Sequence, residues 1–278
     1  MDEATYDPAS HYDRVTDAWT LLLGEELHYG VFVNGDEPLA AATGELTKRM
    51  AAASRLEPGM TVIDVGCGTG APACALAMEY SADVTGITTS QVGVDAARER
   101  ASEAGLGDRV RFECRDAMDN GFPHESFDRA WVLESSHLMR QREDLMSECA
   151  RVLKPGGRMT LCDIVLLRPL PFEQVRALRE PLRLLREVFG DARMEPLDRY
   201  ADWAREHGLI VDDVQDLTSA TRPTFAAWRQ NAQTHRDAVV ASLGEADWQQ
   251  FVDSCDVLEG FWEDGTLGYG LLSAAKAH

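Results

Sequence analysis

Basic side chains are what this sequence lacks most. Its 278 residues carry 27 Lys and Arg against 47 Asp and Glu, a formal net charge of −20, and the lysines are only Lys48, Lys154 and Lys276. A polyanion is bound by neutralising its phosphates with Lys and Arg, so this balance argues against nucleic acid as a partner. Anionic membrane surfaces are disfavoured for the same reason. Long apolar runs are also missing: none approaches the roughly 20 residues that span a bilayer. The opening MDEATYDPAS is acidic and has no apolar centre, so no signal peptide is expected. Clustered metal or disulfide ligands are missing too. Cys67, Cys74, Cys114, Cys149, Cys162 and Cys255 form no C-x-x-C pair and stand near no group of histidines. Scattered buried thiols in a reducing, cytoplasmic setting are expected, with no metal site.

What is present centres on Thr61–Gly70, TVIDVGCGTG. An apolar run feeding a glycine-rich loop reads as a buried parallel strand, a tight turn and then a helix, here Ala71–Tyr80. The glycines permit unusual φ and let a ligand approach backbone that no Cβ covers. The helix behind the loop points its first N–H groups at that ligand.

The spacing is G-x-G-x-G, and Asp64 lies inside the strand end. This resembles the first motif of the class I S-adenosylmethionine-dependent methyltransferases. The resemblance implies S-adenosyl-L-methionine as cofactor, with Asp64, Gly66, Cys67, Gly68 and Gly70 about its methionine and ribose. A second strand, Asp83–Ile87, ends at Thr88 in GITTS, where an acid more often binds the ribose hydroxyls. Thr88 there is similar to the branch holding cyclopropane synthases and sterol, tocopherol and sugar methyltransferases. That branch places a Gln three residues after the Ser, where this chain has Gly93; Gln91 is the nearby candidate. After a third strand, Arg109–Cys114, the resemblance puts the adenine amino group on Asp116 and a ring nitrogen on the N–H beyond it, at Ala117. Glu134, closing the fourth strand Phe127–Leu133, is assigned to the methionine portion. Tyr29, in the aromatic stretch Leu27–Val33, is assigned either to a cap over the cofactor or to a hydrophobic staple.

Elsewhere the periodicity predicts helices over 10–23, Leu39–Leu56, Ser90–Ala104 and from the fourth strand to Leu153, where Lys154-Pro155-Gly156-Gly157 forms a stop. A fifth strand follows at Arg158–Val165. Phe172–Phe189 reads as one long amphipathic helix. Leu197–His207 and Ile210–Leu217 restore a helix and strand. Helices over Phe225–Leu243 and Glu245–Glu259 precede a last strand at Gly268–Ala275. The expected fold is α/β: a doubly wound, mostly parallel, seven-stranded sheet of the Rossmann-like methyltransferase kind. Residues 1–57 would form an N-terminal helical cap and 58–168 the cofactor-binding core. Residues 169–278 would complete the sheet and insert a helical lid. Lid aromatics such as Trp228, Phe251, Phe261 and Trp262 suggest a bulky, partly apolar small-molecule substrate.

Chemistry is expected from His137 and Asp163. His137 follows the fourth strand at the active edge of the sheet, where an imidazole can act as a base. Asp163 lies near the end of the neighbouring fifth strand, where a carboxylate can fix the ring's tautomer. L-E-S-x-H with D-x-V-L resembles the sugar and macrolactam O-methyltransferases of antibiotic pathways. The resemblance, good over Tyr12–Val165, implies methyl transfer to a hydroxyl of a specialised metabolite. Some relatives carry a second His where this chain has Leu138. The alternatives are C-methylation of a prenyl, quinone or aromatic carbon, and a cofactor-binding cyclase that transfers no methyl. A homo-oligomer is left open, with the N-terminal helix and the lid as the two available interfaces.

Overall fold

The computed structural model describes residues 18–278. The first part of the predicted 10–23 helix lies outside the described residues, and 18–23 is helical. The helix α1 (Leu39–Ser54) then leads to β1 (Thr61–Val65), α2 (Ala71–Tyr80), β2 (Asp83–Thr88), α3 (Gln91–Glu103) and β3 (Val110–Cys114). The strand β4 (Phe127–Leu133) is followed by one 3-10 turn, Ser136–Leu138, by α4 (Arg142–Val152) and by β5 (Leu153–Leu166). Next come α5 (Phe172–Ala177), α6 (Arg179–Phe189), α7 (Leu197–Glu206) and β6 (Leu209–Asp216). The chain closes with α8 (Thr218–Thr221), α9 (Thr224–Thr234), α10 (Arg236–Leu243), α11 (Glu245–Glu263) and β7 (Leu267–Lys276).

The seven strands lie in the order β3-β2-β1-β4-β5-β7-β6. Pairing is parallel from β3 through β5, while β7 runs antiparallel between β5 and β6. The chain winds outward from β1 to β3 and then restarts at β4 on the other side of β1. That reversal opens a crevice at the C-terminal ends of β1 and β4, where open α/β sheets bind ligands.

Two apolar layers cover the sheet. Val62 and Val84 pack with α1, α2, α3 and the helices of residues 179–263 on one face. Ile63, Val65 and Ile87 pack with α4 and α7 on the other. Successive residues of β1 thus serve opposite faces, as a pleated strand requires, and both faces are dry. Among the described residues, no helix is long and apolar enough to cross a membrane.

Three boundaries differ from the sequence expectation. Phe172–Phe189 is two helices with a break at Leu178 (φ −88°, ψ 11°). Pro181 is the cause: it has no N–H to donate one turn back, so it fits the first turn of α6 and not the middle of a continuous helix. Phe225–Leu243 is likewise broken, at His235 (φ −104°, ψ 15°). The Lys154–Gly157 stretch belongs to β5, with Gly156 at φ 73° and a shift of register against β4. Its Pro and glycines mark a strand irregularity, not a loop.

Candidate active site

The crevice deepens into a cavity of about 570 Å³ whose walls come from the β1, β2 and β4 ends, residues 26–29, and the helices above them. The loop after β1 is pinned to β2, since Gly66 N–H and Cys67 N–H both donate to Ile87 O, at 2.8 and 3.0 Å. Gly66 (φ 83°) has no room for a Cβ because the Ser135 side chain packs there, held by its own bond to Val65 O at 2.7 Å. Gly68 (φ 53°) differs: a Cβ there would project into open space, and the residue lines the cavity. Its bare backbone is therefore open to a ligand.

Of the residues singled out from sequence, Tyr29, Asp64, Gly66, Cys67, Gly68, Thr88, Asp116, Ala117, Glu134 and His137 all line this one cavity. Gly70 does not. It caps α2 at φ 76°, and a Cβ would meet Phe112 at 2.6 Å and Ala97 at 2.8 Å, so its smallness serves helix–sheet packing. Gln91 does not either, because it is exposed on the first turn of α3 and donates to Asp95 at 2.8 Å. One turn of helix aims it at its i+4 neighbour instead of the crevice. Of the four lid aromatics named from sequence, Trp228 lines the cavity, with Phe189 beside it; Phe251, Phe261 and Trp262 are buried in the helical layer itself.

Asp64 is buried at 2% exposure and its Oδ2 has no hydrogen-bond partner. Burial pushes its carboxyl up to about 7, although the charge of His28 pulls the other way. A dry carboxylate with an orphaned oxygen beside a cavity is a receptor for a cationic ligand group.

Glu134 takes the left-handed conformation, φ 47°, which costs a non-glycine residue strain and is kept only where the surroundings impose it. Its N–H donates to Cys162 O at 2.9 Å, and its Oε1 accepts from Tyr29 N–H at 2.8 Å and from the Tyr269 hydroxyl at 2.5 Å. Burial raises the Glu134 carboxyl, opposed by the His28 charge and by these bonds. His28 Nδ1 lies 2.8 Å from the Tyr29 carbonyl, which can only accept, so it donates there. Its Nε2 faces Glu26 Oε2 at 2.9 Å, a charge contact and not an aligned hydrogen bond. Burial alone would lower His28; Glu26 and Glu134 together raise it, for a net rise above the ordinary imidazole value. The Tyr29 ring stacks on Trp262 at 5.5 Å, while its hydroxyl is buried without a partner.

His137 Nδ1 lies 2.6 Å from Asp163 Oδ1. Asp163 is fully buried and also accepts from Ser136 Oγ at 2.5 Å, His137 N–H at 3.2 Å and Ile164 N–H at 2.8 Å. Burial would raise its carboxyl, but the imidazole and these donors outweigh that and hold it below the usual range. An ionised Asp163 can only accept, so Nδ1 carries the ring proton and the Nε2 lone pair is left for the cavity. Burial lowers the His137 imidazole, and the Asp163 charge overrides it, for a net rise. Ser136 also shares a 2.9 Å hydrogen bond with Tyr200.

The sequence reading missed Glu26, His28, Ser136, Tyr200 and Tyr269. His28 adjoins Tyr29 and Ser136 adjoins His137, so proximity was the available signal for both. Tyr269 sits in the GYG of β7, which sequence reading took only as a strand; its role needs the antiparallel register that sets it beside Ile164.

Comparison with known proteins bears on the fold and the family. The family model described as mycolic acid cyclopropane synthetase matches residues 2–261. The 27-O-demethylrifamycin SV methyltransferase of Amycolatopsis mediterranei (strain S699) is 37% identical over 266 residues, 95% of each chain. The crystal structure of the (4+2)-cyclase SpnF superposes with a TM-score of 0.82 at 30% identity, covering 97% of this chain and 95% of that one. That of mycolic acid cyclopropane synthase CmaA1, complexed with SAH and CTAB, gives a TM-score of 0.86 at 22% identity over 96% of both chains, a likeness of fold. The likeness thus runs through the helices after residue 165 as well as the core. The family match over residues 2–261 and the 37% identical relative covered along 95% of its length show that the chain belongs to the mycolic acid cyclopropane synthetase family and is an S-adenosylmethionine-dependent methyltransferase.

Proposed function

We propose that the chain transfers a methyl group to a hydroxyl of a bulky small-molecule specialised metabolite, with His137 as general base and Asp163 as its positioning carboxylate. The observation that carries this is the 2.6 Å Nδ1–Oδ1 contact, which commits the ring's proton to Asp163 and leaves Nε2 as the free lone pair. The named activity of the 37% identical relative supports a hydroxyl acceptor.

The orphaned Asp64 Oδ2 fits the cofactor's ammonium, and Glu134 with Tyr29 would flank its methionine chain. Gly66 and Cys67 would lie along the ligand and Gly68 would admit it to bare backbone, Thr88 would meet the ribose, and Asp116 with Ala117 the adenine. When bound, S-adenosylmethionine supplies a sulfonium methyl whose C–S bond breaks as the acceptor's O–C bond forms, the electron pair returning to sulfur. His137 takes the hydroxyl proton at Nε2 and becomes imidazolium. Asp163, already ionised, stabilises that charge and keeps the ring aimed. Leu182, Leu185, Phe189 and Trp228 make an apolar wall to the cavity. The helices inserted within residues 169–278 act here as the lid that excludes water and accommodates the acceptor's apolar body, while the rest of that span completes the sheet of the 58–168 core.

His137→Ala tests the assignment: kcat is expected to fall about 10²- to 10⁴-fold, with S-adenosylhomocysteine affinity unchanged. Equal loss of both, or loss of neither, sinks it. The likeness to SpnF favours one rival, cyclisation without methyl transfer. Product mass separates them, since transfer adds one methylene and cyclisation adds nothing.

A further inference from the structure

In a chain this acidic, one edge of the cavity is basic. Arg140, Arg186 and Asp191 line the cavity, and Arg193 joins them from the loop after α6. Asp191 Oδ2 lies 3.6 Å from Arg140 and 3.7 Å from Arg193, while Oδ1 lies 3.4 Å from Arg186. All three arginine side chains are more than half exposed, whereas Asp191 is 15% exposed. One carboxylate thus sits among three guanidiniums, at distances too long for hydrogen bonds. Two positive charges are left over, with their N–H groups still available.

The rim is also built in place. Arg193 N–H donates to His137 O at 2.8 Å, Leu166 N–H donates to Glu195 O at 3.1 Å, and Arg142 holds Glu195 at 2.9 Å. The arginine loop is therefore tied directly to the residue carrying the base. Arg140 follows His137 by three residues, so their Cα atoms are at most about 11 Å apart.

We propose that Arg140, Arg186 and Arg193 form an anion subsite, which selects acceptors bearing a carboxylate or an ionised acidic hydroxyl distinct from the hydroxyl that is methylated. Guanidinium is suited to this work because its planar fork matches a carboxylate with two parallel bonds. Asp191 orients the three side chains and keeps them apart from one another without neutralising them. The apolar wall behind the rim takes the rest of the acceptor. The subsite rests on the proposal that this cavity holds the acceptor, but its test needs no turnover.

The test is calorimetric titration of 2-naphthoate, and of its neutral isostere 2-naphthamide, into the full chain saturated with S-adenosylhomocysteine. The carboxylate is expected to bind at least about tenfold tighter. The double variant Arg140→Gln/Arg186→Gln is expected to lose that preference, and Asp191→Asn to widen it. S-adenosylhomocysteine titration of each variant, expected unchanged, reports that the fold and cofactor pocket are intact. Equal affinity of the two probes for wild type, no binding of 2-naphthoate, or a preference that survives in the double variant overturns the subsite. None of these outcomes depends on His137, so the base assignment stands or falls separately.

Discussion

Cofactor binding is expected to expel a proton from Asp64. Its carboxyl is pushed up to about 7 by burial, from an ordinary 3.8. The folded-state value is raised, so ionising Asp64 costs the ligand-free protein stability. The penalty is absent below about pH 4, grows through the window up to about 7, and then levels off near 4 kcal/mol at 1.36 kcal/mol per unit. A bound ammonium against Oδ2 reverses the preference and favours the carboxylate. Binding S-adenosylhomocysteine is therefore expected to release about 0.9 proton near pH 6, about 0.5 near pH 7 and about 0.1 near pH 8. Calorimetry in buffers of different ionisation enthalpy measures this number directly. The dissociation constant is expected to tighten about tenfold per unit as pH rises toward 7, and to flatten above it. Asp64→Asn removes the ionisation, so it is expected to abolish the release, weaken binding and raise the melting temperature of the ligand-free protein at pH 8. Proton release that is absent, or that persists in Asp64→Asn, refutes the assignment of Asp64 to the ammonium.

Other consequences are more local. If His137 is the base, the acid limb of kcat is expected to report it; burial lowers its imidazole but the Asp163 charge raises it above its ordinary 6.5, so Asp163→Asn, which leaves burial alone, is expected to move the limb to lower pH while the plateau rate falls. Gly70→Ala, colliding with Phe112 and Ala97 at positive φ, is expected to lower unfolding stability in urea by about 2 kcal/mol and leave cofactor affinity of the folded protein intact. Gly68→Ala meets open space, so it is expected instead to weaken S-adenosylhomocysteine binding with a smaller loss of stability. Gln91→Ala is expected to change cofactor affinity not at all.

The parallel core was legible because each of its signals is local. An apolar run, a loop and a following helix recur three times before residue 153, the first of them with the glycine loop, and Asp64, Thr88, Asp116 and Glu134 sit where strand ends must converge at one edge. His137 and Asp163 were legible for the same reason, since parallel β4 and β5 carry them to neighbouring C-terminal ends. What failed was what depends on rotation about a helix or on distant packing. Gln91 and Gly70 stand within a turn of true cavity residues, yet one faces Asp95 and the other Phe112. The break at Leu178 needs Pro181 to be read as a first-turn residue. Tyr269 reaches Glu134 across 135 residues of chain, through an antiparallel register that no local pattern announces. The arginine rim was invisible because three ordinary basic residues acquire meaning only around Asp191.

The reaction proposed for this crevice is methyl transfer to oxygen, with His137 as base. Its most direct test is mass spectrometry of hydroxylated polycyclic and macrocyclic acceptors incubated with methyl-deuterated S-adenosylmethionine, using wild type and His137→Ala. The expected product has one CD3 in place of one hydroxyl hydrogen, formed by wild type and nearly absent with His137→Ala, which still binds S-adenosylhomocysteine. A product isomeric with its substrate, a CD3 group located on carbon, or undiminished product from His137→Ala would contradict it.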